Sequence, residues 1–184
     1  MDMGDIFCID GNSLFCINKI VMPKKYIFIT IVIIAGIVAG AITYNRYTEK
    51  KYIESVRGIT NDMMNTFFIA KSITDRYIVI WQNAIEQGGD LNQTMVSAVA
   101  DERVNIAKAD SLLIKINFEV RDIHSVPSKY SELHQNIANL YTLVNELQQL
   151  SKQPQGSLNT FTESKLTNQA AVETLHKKIE QAIQ

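Results

Sequence analysis

The sequence predicts an all-α protein, in which a single N-terminal transmembrane helix is followed by an antiparallel bundle of about four helices with a long first helix. Three observations predict this fold. No charged residue lies between Lys25 and Arg46, apolar residues after Arg46 recur at steps of three and four, and Gly and Pro number only 8 and 3. Such a period is typical of helices, and scarce turn residues disfavour β folds with many turns.

Residues 1–21 show no helical or strand period, so we expect an unstructured N-terminal extension there. Two starts are compatible with the sequence. One is Met1, and the other is Met22, because "MPKKYIFI" reads as a start followed by a short basic region and an apolar run.

Residues 22–45 are predicted to form a signal-anchor or transmembrane helix. About 20 helical residues span the hydrocarbon layer of a bilayer, and each Ile or Val favours insertion by about 0.3–0.6 kcal/mol at its centre. Lys24, Lys25, Tyr26 and Tyr44 flank the apolar run and are the expected membrane-interface residues. The lipid bilayer is therefore a predicted partner.

Two features of this run leave alternatives open. Ala39 and Ala41 have the small-residue spacing of a signal-peptidase site, so the run is either a retained anchor or a signal cleaved after Ala41. The length of the run favours the anchor. Gly36 and Gly40 form a GxxxG spacing, which is either a contact surface for a homo-oligomer, because it lets two membrane helices approach closely, or the ordinary glycine content of a membrane helix.

The positive charges on the two sides of the run are nearly balanced, so charge alone does not set the topology. Cys8 and Cys16 both precede the run, and the domain after it has no Cys. This distribution fits a domain outside the reducing cytoplasm, and large domains translocate largely regardless of flanking charge. We expect a single-pass protein of the cell membrane with an extracytoplasmic C-terminal domain.

Residues 46–184 are predicted to form the bundle, with helices at about 46–87, 91–124, 127–151 and 157–183. Short connections make consecutive helices antiparallel. Each helix carries an apolar seam at steps of three and four, as a helix that packs on partner helices does. The seam of the first helix consists of Ile53, Val56, Thr60, Met63, Phe67, Ala70, Thr74, Tyr77, Trp81 and Ala84.

Turn and capping residues separate these helices. Gly88 and Gly89 are expected to end the first helix, and Asp90 to cap the second. Pro127 forces the chain to restart before the third helix, and Ser157 is placed to cap the fourth.

Polar residues interrupt two of the seams. Glu102 interrupts the second helix, where we expect its carboxylate to reach water from the edge of the seam. Lys165 and Asn168 occupy the weaker middle turns of the last seam.

Composition and motifs exclude several classes of function. The chain carries 18 Lys and Arg against 19 Asp and Glu without a basic cluster, so nucleic acid is not an expected partner. His124, His134 and His176 fit no known metal-ligand spacing, and no phosphate loop or nucleophile elbow is present. The sequence therefore predicts no metal, no cofactor, no catalytic residue and no enzyme.

Tyr77 and Trp81 are the one aromatic pair that stands out, one turn apart beside the Gly88–Gly89 turn. Two interpretations are open. The pair is either a core plug that holds the end of the bundle or a candidate interaction spot, and the exposure of Trp81 distinguishes between them.

Five short segments occur in order: "YIVIWQNAI", "GGDLN", "VPSKY", "LYTLV" and "GSLNTF". Together they resemble the landmarks of an uncharacterised family of small membrane- or lipid-anchored helical proteins from Gram-positive bacteria and their mobile elements. The similarity covers roughly residues 60–180. It implies a helical fold and an envelope location, and it brings no catalytic residues with it.

From these patterns we expect a membrane-anchored extracytoplasmic helical bundle that acts as a non-enzymatic interaction module of the cell envelope. Its predicted partner is another envelope or secreted protein. The alternative is a ligand-binding sensory domain that acts through a separate partner subunit.

Overall fold

The structure, a computed structural model, describes residues 24–123 and 126–184, with side chains from residue 32 onward and that of Ile29. Every regular element in this part of the chain is helical, which confirms the all-α prediction. The helices are α1 (Lys24–Glu86), α2 (Leu91–Asp101), α3 (Arg103–Arg121), α4 (Ser131–Lys152) and α5 (Leu158–Ala182), and one turn of 3-10 helix (Ser128–Tyr130) precedes α4.

The chain divides into two compact units, Met1–Arg46 and Tyr47–Gln184. In the first unit, seven large apolar side chains of α1 are each more than half exposed; they are Ile29, Val32, Ile33, Ile34, Ile37, Val38 and Ile42. Among the residues that the structure describes, no helix is both long and apolar enough to cross a bilayer.

Of the predicted membrane-interface residues, the structure describes one side chain. Tyr44 is exposed on α1. The side chains of Lys24, Lys25 and Tyr26 lie outside the described residues, as does the predicted extension at 1–21.

Local signals end α1 and start α2 as the sequence predicts. Gly88 adopts a left-handed φ of 65°, and the Gly89 amide donates to the carbonyl of Ala84 at 2.9 Å. The Asp90 carboxylate then accepts a hydrogen bond from the Gln93 amide at 3.0 Å. These contacts satisfy backbone groups that the helix ends leave free, and they confirm Asp90 as the cap of α2.

Six polar contacts between helices fix their directions. They join Asp62 to Lys115, Arg76 to Glu102, Glu49 to Lys129, Tyr77 to Ser151, Asp75 to Lys165 and Arg57 to Ile183. In the pairs that join α1 to α2–α3 or to α5, the residue number on the partner helix falls as the residue number along α1 rises. These helices therefore run antiparallel to α1. In the two pairs that join α1 to the α4 segment, Glu49 with Lys129 and Tyr77 with Ser151, the residue numbers rise together, so α4 runs parallel to α1. The second unit is therefore a helical bundle in which α1, α2–α3, α4 and α5 alternate in direction along the chain.

Two apolar clusters form the core of this bundle. The larger cluster packs α1 against α3, α4 and α5 around fully buried side chains such as Met63, Phe67 and Ile137. The smaller cluster lies towards the C-terminal end of α1 and includes Ile73, Tyr77, Trp81, Met95, Ala98 and Phe161. Each large apolar side chain stabilises the fold by about 1.5–3 kcal/mol when it is fully buried.

The break between α2 and α3 corrects the prediction of one continuous second helix. Glu102 sits between them with φ −86° and ψ 0°, outside helical geometry. Its side chain is only 5% exposed, so the expectation that this carboxylate reaches water was wrong. Arg76 contacts it at 2.7 Å, and the Asn105 side-chain amide donates to it at 2.7 Å. These partners compensate the carboxylate for the loss of water.

Candidate functional site

The loop between α4 and α5 has a conformation that its own residues hold in place. Gly156 has a φ of +89°, which a side chain would strain. Ser157 and Thr160 form a reciprocal capping box, in which the Ser157 amide donates to Thr160 Oγ1 at 2.9 Å and the Thr160 amide donates to Ser157 Oγ at 3.2 Å. The prediction that Ser157 caps the last helix is confirmed.

This loop forms one wall of a cleft of about 850 Å³, which we call the end cleft. The other walls come from the last turns of α1 and from α2. The lining residues are Trp81, Ile85, Leu91, Asn92, Met95, Val96, Val99, Lys152, Pro154, Gln155, Gly156, Ser157 and Leu158. Small-molecule and peptide sites are typically concave, mostly apolar and of about 300–1,000 Å³.

The rim of the end cleft is apolar and exposed, whereas its floor is covered. Ile85, Leu91 and Val96 are each more than a third exposed, and Trp81 and Met95 beneath them are buried. Exposed apolar side chains that gather around a concave surface are typical of interaction sites. The end cleft therefore presents a ready apolar contact area.

Few polar groups enter this site. Lys152 is the one charged residue among the described lining residues, and its Nζ contacts the Asp110 carboxylate at 3.0 Å. Asn92, Gln155 and Ser157 add neutral hydrogen-bonding groups. A ligand that fills the cleft would thus be mostly apolar, with a small number of polar atoms to orient it.

The structure buries both of the aromatic residues for which the sequence left a core plug and an interaction spot open. Tyr77 is fully buried, and its hydroxyl donates to the Ser151 carbonyl at 2.9 Å. Trp81 is 8% exposed and packs against Phe161 with ring centroids 5.8 Å apart, yet it also lines the end cleft. Because Trp81 is buried as well as Tyr77, the low exposure of Trp81 favours the core role for the pair, and Trp81 also lines the end cleft.

The sequence analysis missed the rim of the cleft. Ile85 lies beside the seam of α1 rather than in it, and Val96 lies beside the seam of α2. Apolar residues off the seam at the end of one helix and the start of the next were the available signal. These residues form one surface only because the turn at residues 87–90 brings the two helix ends together, and the sequence does not show this.

Titratable groups near this end of the bundle are shifted by burial and by their neighbours. Burial, together with the nearby Glu102 carboxylate, raises the pKa of Tyr77 to about 12. Burial alone would raise the pKa of Asp75, but the hydrogen bonds and charges of Lys165 and Lys71 hold it below its usual value. Both shifts follow from contacts that stabilise the fold, so neither marks a proton-transfer site by itself.

The two histidines that the structure describes show no arrangement that indicates chemistry. His176 Nε2 lies 3.5 Å from Glu180 Oε1, one turn along α5. His134 has a buried Nδ1 atom with no hydrogen-bond partner, and His124 lies outside the described residues. Within the described part of the chain, no three His, Cys, Asp or Glu side chains are grouped as a metal site would require.

A second groove, of about 740 Å³, lies between α4 and α5. Its lining includes Glu146, Glu163, Gln149 and Gln153, which are long polar side chains typical of a solvated helix surface. Large apolar residues are more numerous among the residues that line the end cleft, and we therefore take it as the candidate site.

Comparison of the chain with protein-family models, curated proteins and solved structures finds no match. The resemblance to anchored helical proteins of Gram-positive bacteria thus stays a prediction. Function has to be argued from the bundle and its end cleft.

Proposed function

We propose that the chain is a membrane-anchored, extracytoplasmic helical bundle that binds another envelope or secreted protein through the end cleft, without catalysing a reaction. The observation that carries this proposal is the exposed apolar rim of Ile85, Leu91 and Val96 above the buried Trp81 floor. The occupant we infer is an amphipathic helix of the partner that inserts two or three large apolar side chains.

The membrane anchor is supported by the chemistry of α1 in the first unit. Its seven described Ile and Val side chains from Ile29 to Ile42 are each more than half exposed. Contact with water is unfavourable by about 25 cal/mol for each Å² of apolar surface, and contact with lipid removes this cost. The uncharged stretch from Tyr26 to Asn45 is about the length that a bilayer requires.

The location of the bundle outside the cytoplasm is the second part of the proposal. The domain contains no Cys, and its net charge is close to zero. Protease added to intact cells should remove the bundle if this proposal is correct. Digestion only after permeabilisation would place the bundle in the cytoplasm, and recovery of the intact chain in the soluble fraction would exclude the anchor.

Site-specific photo-crosslinking tests the cleft. A photoreactive residue at Leu91, on the rim, should yield an adduct with one partner, whereas the same residue at Val79, on the outer face of α1, should not. Val96→Glu places a charge in the apolar contact, and the adduct at Leu91 should fall at least tenfold, which corresponds to about 1.4 kcal/mol.

Val79→Glu is the matched control, because Val79 is also more than half exposed but does not line the end cleft. It should leave the Leu91 adduct unchanged. Equal loss of the adduct in both variants, or equal adducts at Leu91 and Val79, would contradict a specific cleft interaction.

A ligand-binding sensory domain that acts through a separate subunit is the second candidate. A buried polar atom favours it, since Asn168 lines the groove between α4 and α5 and its Oδ1 atom has no hydrogen-bond partner among the described residues. A small ligand that binds the folded bundle would raise its melting temperature in proportion to the logarithm of ligand concentration, and a screen without any such shift would remove this candidate.

A further inference from the structure

The outward face of α3 carries a second apolar stripe that no helix of the bundle covers. Its members are Val104, Ala107, Ser111, Ile114 and Phe118, all of them exposed. Their steps of three, four, three and four match the seam of a coiled coil. The core-facing seam of α3, with Ala109, Leu113 and Ile116 buried, lies on the opposite side of the same helix.

We propose that this stripe is a self-association surface on which α3 of a second copy of the chain packs. The inference rests on the proposed membrane anchor, because the anchor holds two copies close together. Val104, Ile114 and Phe118 are each more than half exposed, which is unusual for side chains of this size in such regular succession. Ala107 and Ser111 between them are small and permit a close approach of the two helices.

The area of the stripe decides what kind of pair it can form. The three large side chains expose on the order of 300 Å², and the small residues and the stem of Lys108 extend the contact. A dimer of freely diffusing chains typically buries about 800 Å² on each partner. The stripe alone therefore supports a weak pair, which forms only between chains that a membrane already concentrates and aligns.

The anchor also selects the direction of pairing. In a parallel pair, residue 47 of both copies lies at the same end of the dimer, so both can enter one membrane. Ser111 lies at the same height along the bundle as about residue 66 of α1. In an antiparallel pair centred on Ser111, residue 47 of one copy and residue 47 of the other would therefore lie at opposite ends of the dimer. At 1.5 Å per residue they would be on the order of 60 Å apart. The pair is therefore parallel and two-fold symmetric, so each stripe residue faces its own counterpart.

Disulfide crosslinking of the full chain in its membrane tests this arrangement. With Cys8→Ser and Cys16→Ser as background, the chain has no other Cys. Ser111→Cys should give a disulfide-linked dimer on mild oxidation, at least fivefold more than Ser164→Cys, an exposed Ser on α5 that matches it in type. Ala107→Cys should also crosslink in a parallel pair, whereas in an antiparallel pair it would lie too far from its counterpart.

Adding Ile114→Glu and Phe118→Glu should abolish the Ser111→Cys dimer, while the melting temperature of the bundle stays within a few degrees because both side chains are exposed. Equal dimer yields at Ser111 and Ser164, or a dimer that survives the two Glu substitutions, would overturn the proposal. Dimer at Ser111 without dimer at Ala107 would overturn the parallel arrangement. The membrane fraction of each sample is measured alongside, so failure of the anchor is distinguished from failure of the stripe.

Discussion

Replacement of Gly156 by Ala should destabilise the bundle at the loop that forms one wall of the end cleft. With φ at +89°, Gly156 adopts a conformation that costs an L-residue about 1–2 kcal/mol. A Cβ atom there would lie 2.7 Å from Thr160 Oγ1. The hydroxyl would have to rotate away and lose its bond from the Ser157 amide, at about 1 kcal/mol for a disrupted cap. The free energy of unfolding should therefore fall by about 2–3 kcal/mol.

Thermal unfolding of the purified chain, followed by far-UV circular dichroism in mild detergent, measures this loss. For a unit of this size, each kcal/mol shifts the melting temperature by roughly 4 °C, so Gly156→Ala should lower it by about 8–12 °C. Two other glycines provide matched controls. Gly88 also has a positive φ, of +65°, but an added Cβ would meet open space there. Gly88→Ala should therefore show only the cost of backbone strain, which is about half the loss expected for Gly156→Ala. Gly58, in the exposed interior of α1, should instead gain up to about 1 kcal/mol as Ala.

The clash is isolated by a double-mutant cycle with Thr160→Ala. In that background the Cβ of residue 156 no longer meets a hydroxyl, so the cost of Gly156→Ala should fall by about 1 kcal/mol. An unchanged melting temperature in Gly156→Ala would refute the left-handed conformation of the loop. The same cost in both backgrounds would refute the role assigned to the capping box.

Two further predictions concern polar contacts between helices. Tyr77→Phe removes the hydroxyl that donates to the Ser151 carbonyl, so the free energy of unfolding should fall by about 1–2 kcal/mol in urea titrations; no loss would mean that the bond contributes nothing. Asp75 has a lowered pKa in the fold, so its ion pairs stabilise fully above its unfolded pKa of 3.8, and this contribution is lost as pH falls through the folded pKa. Asp75→Asn should flatten the fall in stability between pH 5 and about 2, and an unchanged pH slope would contradict the ion pairs.

The helices themselves could be predicted because their signals are local. The seam of α1 repeats every three or four residues, and the caps of α2 and α5 join groups three residues apart. Hydrogen bonds between groups three residues apart form within one helical turn, so they can be predicted from the sequence alone. The placement of Asp90 and Ser157 as caps needed no knowledge of the rest of the chain.

The polar residues in the seams could not be placed in the same way. Glu102 looked like a surface carboxylate because its partner Arg76 lies 26 residues away in another helix. Lys165 pairs with Asp75, which is distant in sequence, and it is buried for that reason. The free energy of a buried charge depends on partners that only the packed bundle supplies.

The end cleft depends even more on tertiary structure. Trp81, Val96 and Leu158 come from three helices, and no spacing in the sequence connects them. Tyr77 and Trp81 stand out together in the sequence, and the bundle buries both, but only Trp81 also lines the end cleft. Concave sites arise from the way in which helix ends meet, which periodicity does not encode.

The sequence by itself determined that this protein is helical, where most of its helices end, and which residues cap them, because hydrogen bonds and side-chain periods within a helix are local. Helix α3 is an example of what the sequence left undecided, because two apolar stripes with the same spacing run along opposite sides of this helix. The apolar period predicts Leu113 in the core-facing seam, where the structure buries it, but only the tertiary structure decided that the second stripe, with Ile114, stays exposed. The reason is physical: the hydrophobic effect has no direction of its own, and the neighbouring helices determine which stripe is removed from water.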